Sequence, residues 1–183
     1  MKIFIPIVLL LLTLCTVLAQ QIPLNHQGYA EYVEVGYIDT LTKEQMLENA
    51  RAWFKDTYSR HKKTHLTESN HELILAGVSA SQPFDYSKGS LVVRNLSFSY
   101  TISVHCKNGK YKCIINEIHY NSTRVPGLKK GVDLANNNPF ESPKAAKEYE
   151  QLWKDFRRQT DQEIRMLLKS LREYMQNPTP TPK

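Results

Sequence analysis

The stretch TISVHCKNGKYKCIINEIHY, residues 101–120, decides the fold because it reads as a β-hairpin. At its centre, Asn108-Gly109 is the strongest hairpin signal that a short sequence can carry, since both residue types tolerate the backbone of a tight two-residue turn. The surrounding residues 91–119 read as two long strands on either side of this turn. We therefore predict an antiparallel sheet at the centre of the protein.

Cys106 and Cys113 lie on the two strands of this hairpin. A turn at Asn108-Gly109 makes them diagonal neighbours, whereas a turn at Gly109-Lys110 places them directly opposite each other. Both registers put the two thiols on one face, and a three-residue loop would put them on opposite faces. Two uses stay open: a disulfide, which an exported chain favours, or two small apolar residues in a buried face. The C-x6-C spacing does not fit a redox motif, and a metal site would need more ligands.

A helix is predicted before the hairpin, from Thr42 to about residue 60. Thr42 and Gln45 have the spacing of a capping box, in which each side chain bonds the backbone of the other residue. Apolar residues then recur at the spacing of one helical face, and Trp53 and Phe54 belong to that face. We expect this face to pack against the sheet.

Two further strands are predicted upstream of the hairpin. Residues 29–38 alternate as a half-buried strand does, with β-branched and aromatic residues on both sides. Residues 71–81 form the second strand, in which Gly77 indicates a bulge or the close approach of another element. The segment SQPFDYSKGS, residues 81–90, has the composition of a loop.

A long helix is predicted over about residues 142–176. Ser142 is a suitable N-cap, and Pro143 stands at the first helical position, where its missing N–H does no harm. An apolar stripe continues over many turns with mixed charges opposite it. Residues 177–183 form an extended, disordered tail rich in Pro and Thr.

The distal half of this helix carries an apolar stripe of its own, beyond a polar stripe position at Thr160. It consists of Ile164, Leu167, Leu168, Leu171 and Met175. A helix of this length, at about 1.5 Å per residue, exceeds the width of a small sheet, and monomers avoid exposing such a patch. Two hypotheses follow: the stripe packs against a second copy or an envelope protein, or it folds back along the same sheet.

Residues 1–19 have the anatomy of a secretory signal peptide, with a positive start, an apolar run and small residues before an expected cleavage between Ala19 and Gln20. Lipidation at Cys15 is a competing interpretation, but the residue before it is not small. The apolar run is too short for a comfortable membrane span, and no transmembrane segment is predicted after its removal. Residues 20–28 form a polar lead-in. We expect a periplasmic or extracellular protein in contact with the envelope.

Composition and motifs argue against several functional classes. The chain has 24 Lys and Arg against 18 Asp and Glu, a formal charge of +6. An exported protein rarely meets nucleic acid, so we expect anionic envelope polymers or lipid headgroups as neighbours and no nucleic-acid partner. His61 and His65 have the spacing of a two-histidine metal site, but the cationic residues around them would repel a metal ion. No serine stands in a G-x-S-x-G or S-x-x-K motif. The sequence predicts no catalytic residue, metal or cofactor.

The order of these elements resembles a large family of exported bacterial proteins, typical of Bacteroidetes, that is described as a domain of unknown function with a TATA-binding-protein-like fold. The resemblance covers about residues 29–120. It is carried by EYVEV, by the helix with Ala50, Trp53 and Phe54, by the LILAG strand, and by SYTISVHCKNGKYKCIINEIHY. The resemblance implies an antiparallel sheet with helices on one face, and it implies no cofactor and no catalytic residues. The two cysteines and the long C-terminal helix depart from the pattern.

The sequence thus predicts one α+β domain over residues 29–176, in which an antiparallel sheet of four or five strands has two helices packed on one face. We expect an exported, non-enzymatic binding module that uses the other face of the sheet or the groove between sheet and helices. Two alternatives are a small-ligand binder or hydrolase that uses this groove, and an inhibitor of an extracytoplasmic enzyme that inserts residues 81–90. A groove filled by Trp53, Phe54 and Trp153 would favour the binding module.

Overall fold

The structure is a computed structural model that describes residues 21–59, 65–121 and 125–177, with only the backbone of Leu96. The elements in chain order are β1 (Tyr32–Tyr37), α1 (Lys43–Tyr58), β2 (His65–Glu68), β3 (Glu72–Lys88), β4 (Leu91–Lys107), β5 (Lys110–Tyr120), β6 (Val132–Asp133) and α2 (Pro143–Gln176). The predicted signal peptide with Ala19 and Gln20, His61, and the tail from residue 178 lie outside the described residues.

The strands form one antiparallel sheet in the order β1-β5-β4-β3-β2, and β6 pairs with the far end of β5. The predicted α+β class is confirmed, but the described residues contain six strands instead of four or five. The two strands that the sequence did not indicate are β2, whose four residues are all exposed, and β6, which has two residues. Neither has the alternation of buried and exposed residues that marks a longer strand.

The predicted loop over residues 81–90 is wrong, because β3 continues through it to Lys88 and pairs with β4 along this length. The turn is confined to Gly89 and Ser90. Pro83 is accommodated beside a register shift between Pro83 and Tyr86, where the lost N–H of proline costs the sheet little. The predicted bulge at Gly77 is confirmed by a register shift between Leu75 and Val78.

The predicted hairpin is confirmed with Asn108-Gly109 as its turn, since Lys107 pairs with Lys110. Its tip also holds the start of α1. The side-chain oxygen of Asn108 accepts a hydrogen bond from the backbone N–H of Lys43 at 2.9 Å. Gly109 accepts from Ile38 at 2.8 Å and donates to Leu41 at 3.0 Å. The predicted capping box of Thr42 and Gln45 completes this helix start.

Cys106 and Cys113 are diagonal neighbours in this register, because Cys106 faces Tyr111 and Cys113 faces Val104. Both are free, buried thiols in the structure, which agrees with the interpretation of two small apolar residues in a buried face. Burial raises the pKa of the Cys106 thiol to about 11. The pKa of Cys113 is also raised, chiefly by burial. Both thiols are therefore protonated and poorly reactive at neutral pH.

The core lies between one face of the sheet and the two helices. Trp53 of α1 is fully buried, and its indole N–H donates to the hydroxyl of Ser170 on α2 at 3.1 Å. On α2, the ring of Phe156 stands edge-on to Tyr120 of β5, with centroids 5.1 Å apart. Aromatic contacts of this kind add to the hydrophobic energy of a core. The two helices are thereby fixed to each other and to the sheet.

The distal stripe of α2 belongs to this core, which corrects the hypothesis of an exposed interaction arm. Four of its members are buried in the same hydrophobic core as the sheet residues, and Leu167 packs against them at its edge. The helix has 34 residues, and the two central strands of 17 residues each give it enough sheet to cover. Thr160 is buried and accepts a hydrogen bond from Gln82 of β3 at 3.3 Å. Thr160 therefore makes a polar contact inside the domain. It does not mark a change of packing partner along α2.

Candidate interaction surface

The face of the sheet opposite the helices carries no covering element among the described residues; we call it the open face. One row of it runs across five strands in register and consists of Val33, Ile114, Ser103, Ile74 and Thr67. None of these side chains is buried. Because side chains alternate along a strand, their sequence neighbours point into the core instead.

The next row towards the β4–β5 turn carries charge. It consists of Val35, Lys112, His105 and Glu72 on successive strands. His105 and Glu72 lie opposite each other with Nε2 and Oε1 3.1 Å apart. Lys112 is exposed and stands between Val35 and His105. This row therefore combines an exposed apolar side chain with a free cationic side chain.

The last row before the turn is aromatic and basic. Tyr37 is 70% exposed, and the ammonium group of Lys110 lies 5.0 Å from the centre of its ring. Such a cation–π contact holds an exposed ring in place. Lys107 faces Lys110 across the hairpin. With Lys112, these residues make one corner of the open face positively charged.

The opposite end of the open face is rich in hydroxyl groups. Ser79 of β3 pairs with Ser99 of β4, which pairs in turn with His119 of β5. Nearby, Thr101 donates a 2.7 Å hydrogen bond to the carboxylate of Glu117. The open face therefore changes along the strands from apolar and basic at the hairpin tip to hydroxyl-rich and polar at the other end.

The groove between sheet and helices is filled by side chains. Trp53, Phe54 and Trp153 are all buried, and the indole N–H of Trp153 donates to the carbonyl of Asn136 at 2.9 Å. This is the arrangement that was expected to favour a binding module over a ligand-binding groove. The filled groove leaves the open face as the larger accessible surface of the sheet.

Two buried polar contacts fix the edge strand β1 beneath α2. The hydroxyl of Tyr32 donates to Asp161 at 2.8 Å, and both oxygens of this carboxylate accept from Nε of Arg165 at 3.0 Å. Asp161 is only 2% exposed, so the guanidinium compensates a carboxylate that has almost no water around it. Burial, and then the neighbouring Asp161, raise the pKa of the Tyr32 hydroxyl.

The second contact lies about two turns further along α2. Tyr111 donates to Glu34 at 2.9 Å, and Arg172 donates to both oxygens of the same carboxylate at 3.0 and 2.5 Å. The ring of Tyr111 crosses directly over Gly36, where an added Cβ would lie 2.1 Å from the ring. Only glycine leaves room for the ring to reach Glu34. Burial, followed by Glu34, raises the pKa of Tyr111.

A cleft of about 570 Å³ lies between the far end of the β3–β4 hairpin and α2. Its arginines are already paired, Arg94 with Asp85 at 2.7 Å and Arg158 with Asp155 at 3.1 Å. Its remaining lining consists of Pro83, Phe84, Tyr86 and Gln159. The lining contains no serine, cysteine or histidine, and its two carboxylates, Asp85 and Asp155, are each held by an arginine.

Within the described ranges, no three His, Cys, Asp or Glu side chains are placed to hold a metal ion together. Of the two candidate histidines, His65 lies in the exposed strand β2. No helix among the described residues is both long enough and apolar enough to cross a bilayer. The segment expected as the inserting loop of an inhibitor is part of the β3–β4 hairpin.

A family model described as a domain of unknown function (DUF4468) with TBP-like fold matches residues 32–121, from β1 to the end of β5. Residues 32–121 therefore form a domain of this family. A comparison with curated protein sequences found no match. The family assignment identifies the sheet and α1, while the region that contains β6 and α2 lies beyond the matched residues.

Two solved structures resemble the whole fold of this DUF4468 protein. A TBP-like protein from Parabacteroides distasonis has a TM-score of 0.66 at 16% identity, over 85% of this chain and 97% of that chain. A DUF4468 family protein from Bacteroides ovatus has a TM-score of 0.54 at 13% identity, over 91% of this chain and 95% of that chain. At these identities the likeness concerns the fold alone.

The sequence predicts that the sheet has a face without helices, but it does not predict which residues form that face. Both sides of β1 are apolar enough to be buried, and the structure buries Tyr32 and exposes Val33, Val35 and Tyr37. The signal that separates the two sides is Gly36, because a glycine in a strand often marks close approach of another group. Here the group is the ring of Tyr111.

Proposed function

We propose that this DUF4468 protein is an exported, non-enzymatic binding module that uses the open face to bind an acidic surface of an envelope protein. The observation that carries the proposal is the uncovered row of apolar and hydroxyl side chains across five strands, with a basic corner beside it. Fully covered sheets have no such surface, and exposed apolar groups rimmed by polar ones are typical of interaction sites.

The chemistry of the partner follows from the charges. Lys107, Lys110 and Lys112 project at the hairpin end, whereas the nearest carboxylate of the row, Glu72, is already beside His105. A partner that presents carboxylates around a few apolar side chains would complement this corner, and the lysines would speed its association. The signal-peptide anatomy of residues 1–19 supports an extracytoplasmic partner.

Export is tested first, by N-terminal sequencing of the protein recovered outside the cytoplasm. The proposal expects a chain that begins at Gln20. A lipid-modified Cys15, or a chain that keeps residues 1–19 in the cytoplasm, would contradict it.

Binding is tested by photo-crosslinking in the producing cell. A crosslinking residue replaces Ile114 on the open face in one variant and Met166 in another, since Met166 is exposed on the outer side of α2. We expect a defined adduct with an acidic protein from position 114 and none from position 166. Equal adducts from both positions, or none from position 114, would overturn the proposal.

The role of charge is tested in the same assay with Lys112→Glu. Lys144→Glu makes the same change on an exposed lysine at the start of α2 and serves as the matched control. We expect the position-114 adduct to weaken several-fold for Lys112→Glu and to persist for Lys144→Glu. Added salt should weaken the wild-type adduct as well, because exposed charges are screened beyond a Debye length of about 8–10 Å.

A further inference from the structure

Among the described residues, no strand pairs with the outer edge of β1. In an antiparallel strand the N–H and C=O of one residue point to the same side, and those of the next residue point to the other. Ile38 donates to Gly109 on the β5 side, while Glu31 donates to Pro23 on the outer side at 3.0 Å. The backbone groups of Val33, Val35 and Tyr37 therefore point away from β5, to the end of the sheet.

This edge lacks lysine, proline and a bulge, and its one inward-pointing charge, Glu34, is compensated by Arg172. Natural edge strands carry lysine, proline or a bulge, or are very short. The strand from Tyr32 to Tyr37 has six residues, YVEVGY, without lysine or proline and without a register shift against β5. Its outward-pointing residues are also the exposed apolar residues of the open face. The edge therefore offers both backbone bonds and apolar contacts to an added strand.

We infer that a second copy of this chain pairs with β1 through its own β1, antiparallel and about a two-fold axis at Val35. In this register Val35 faces Val35 of the second copy, and Val33 faces Tyr37 of the second copy. All the outward-pointing backbone groups of Val33, Val35 and Tyr37 then exchange hydrogen bonds with the other copy, and the two sheets become continuous.

The alternative register is blocked by the structure. Pairing centred on Glu34 would require the outward N–H of Glu31, which already donates to Pro23. The lead-in from Ile22 to Leu24 thus limits the free edge to the length that the Val35-centred register uses.

The apolar side chains of the edge favour a second copy over an unrelated strand. The Val35-centred register pairs Val35 with Val35 and Val33 with Tyr37 of the second copy, and all three side chains are exposed in the single chain. The flank of α2 that faces this edge does not oppose the pairing, because Arg165 and Arg172 are compensated by Asp161 and Glu34. A second copy therefore complements the edge in backbone and in apolar side chains.

This inference concerns the edge of the sheet and does not rest on the proposed use of the open face. It is tested by sedimentation of the chain from Gln20 over a range of concentrations, with Val35→Lys, Val35→Glu and a control. The control is Val92→Lys, because Val92 is 50% exposed on β4 and Val35 is 42% exposed on β1. Circular dichroism is recorded for each variant to establish that it is folded.

We expect wild type and Val92→Lys to form dimers, and the two Val35 variants to be folded monomers. An equimolar mixture of Val35→Lys and Val35→Glu should regain the dimer, because the two-fold axis then places opposite charges side by side. A wild type that stays monomeric at its highest soluble concentration, or a dimer that survives Val35→Lys, would overturn the inference. Loss of a complex with a different protein, without change in self-association, would likewise show that the occupant is not a second copy.

A cysteine at the axis gives a second readout. Cα atoms of such a hydrogen-bonded pair are about 5.5 Å apart, which is within the span of a disulfide. Under mild oxidation Val35→Cys should give a covalent dimer, whereas Val92→Cys should not. Cys106 and Cys113 are buried and do not compete. Equal crosslinking of the two variants would mean that the copies do not meet at β1.

Discussion

The two edges of the sheet are built differently. At one edge, β2 has four residues, all exposed, and its Glu68 is bound by Arg51 of α1, whose guanidinium lowers the pKa of that carboxylate. At the other edge, β1 has six residues, and its polar side chain Glu34 is turned inward to Tyr111 and Arg172. The β2 edge is thus short and charged. At the β1 edge, the charge of Glu34 is neutralised on the side that faces α2, and apolar side chains are exposed on the open face.

The difference shows where each edge obtains its stability. The edge at β2 has exposed contacts that water and salt weaken, and such ion pairs contribute little. The edge at β1 is attached to α2 by two carboxylates that are largely buried, each with an arginine and a tyrosine. Breaking one partner of a buried pair is costly. We therefore expect substitutions at β1 to affect the whole fold and those at β2 to stay local.

The largest effect should come from the core that both edges share. Trp53→Ala removes a fully buried ring and its hydrogen bond to Ser170, so we expect a loss of about 3–5 kcal/mol in the free energy of unfolding. Urea denaturation measures it. A variant that melts within a degree or two of wild type would mean that this face of α1 is not core.

The next largest difference between the two edges should come from an alanine substitution in each edge strand. Gly36→Ala on β1 places a Cβ against the buried ring of Tyr111, which must move away from Glu34. Overpacking of this kind costs about 2–3 kcal/mol. Thr67→Ala on β2 is the counterpart at an exposed position and should cost less than about 0.5 kcal/mol. Equal losses in urea denaturation would remove the distinction between the edges.

Alkaline pH should act through the buried tyrosines of the core. Burial raises the pKa of Tyr100 to about 12, and it also raises that of Tyr111. An unfolded tyrosine ionises near pH 10, so above this pH the unfolded state loses protons first and stability falls; below it these groups leave stability unchanged.

Each buried tyrosine contributes a slope of about 1.4 kcal/mol per pH unit above pH 10. Tyr111→Phe should make the decline shallower by that amount, and Tyr37→Phe, at an exposed ring, should leave it unchanged. Denaturation at pH 9, 10 and 11 gives the slopes. The same slope for both variants would contradict the burial of Tyr111.

The smallest effect compares the two ion pairs directly. Arg172→Ala leaves Glu34, whose side chain is 11% exposed, without its cation and should cost about 1–2 kcal/mol. Arg51→Ala leaves Glu68, which is 41% exposed, in water and should cost about 0.5 kcal/mol or less. Added salt should diminish only the second difference. A reversed order would show that the β2 edge carries more of the stability than its exposure indicates.

Local signals were sufficient for part of this fold. The Asn108-Gly109 turn and the capping box of Thr42 and Gln45 each act over a few residues, so the sequence predicts them correctly. The position of Gly77 also predicts its bulge, because glycine adopts the positive φ of +70° that the chain has there. Features set by the neighbouring residues are thus readable without the structure.

The remaining features depend on residues far apart in the chain. The length of sheet beneath the second half of α2 depends on β3 continuing through residues 81–90, whose Pro, Ser and Gly content is typical of a loop. A sheet that ended near residue 81 would not reach Ile164 and Leu171, so these residues would have no surface to pack against. Which side of β1 faces out depends on Tyr111, which is 75 residues away from Gly36 in the chain and has no local signature. For this reason the sequence predicts that an open face exists but does not predict which residues form it.

The tip of the β4–β5 hairpin has a consequence for how the chain folds. The first N–H of α1 is satisfied by Asn108, which lies 65 residues away in sequence, and the loop before the helix bonds to Gly109 on both its N–H and its C=O. A helix has to pay for its first turn before it gains from the later ones. Because that first turn is completed by a group on the hairpin, nucleation of α1 is coupled to closure of a long-range contact, and long-range contacts form slowly. The hairpin thus sets the order in which the two elements form. We expect α1 to reach its native protection from hydrogen exchange only when β4 and β5 have paired.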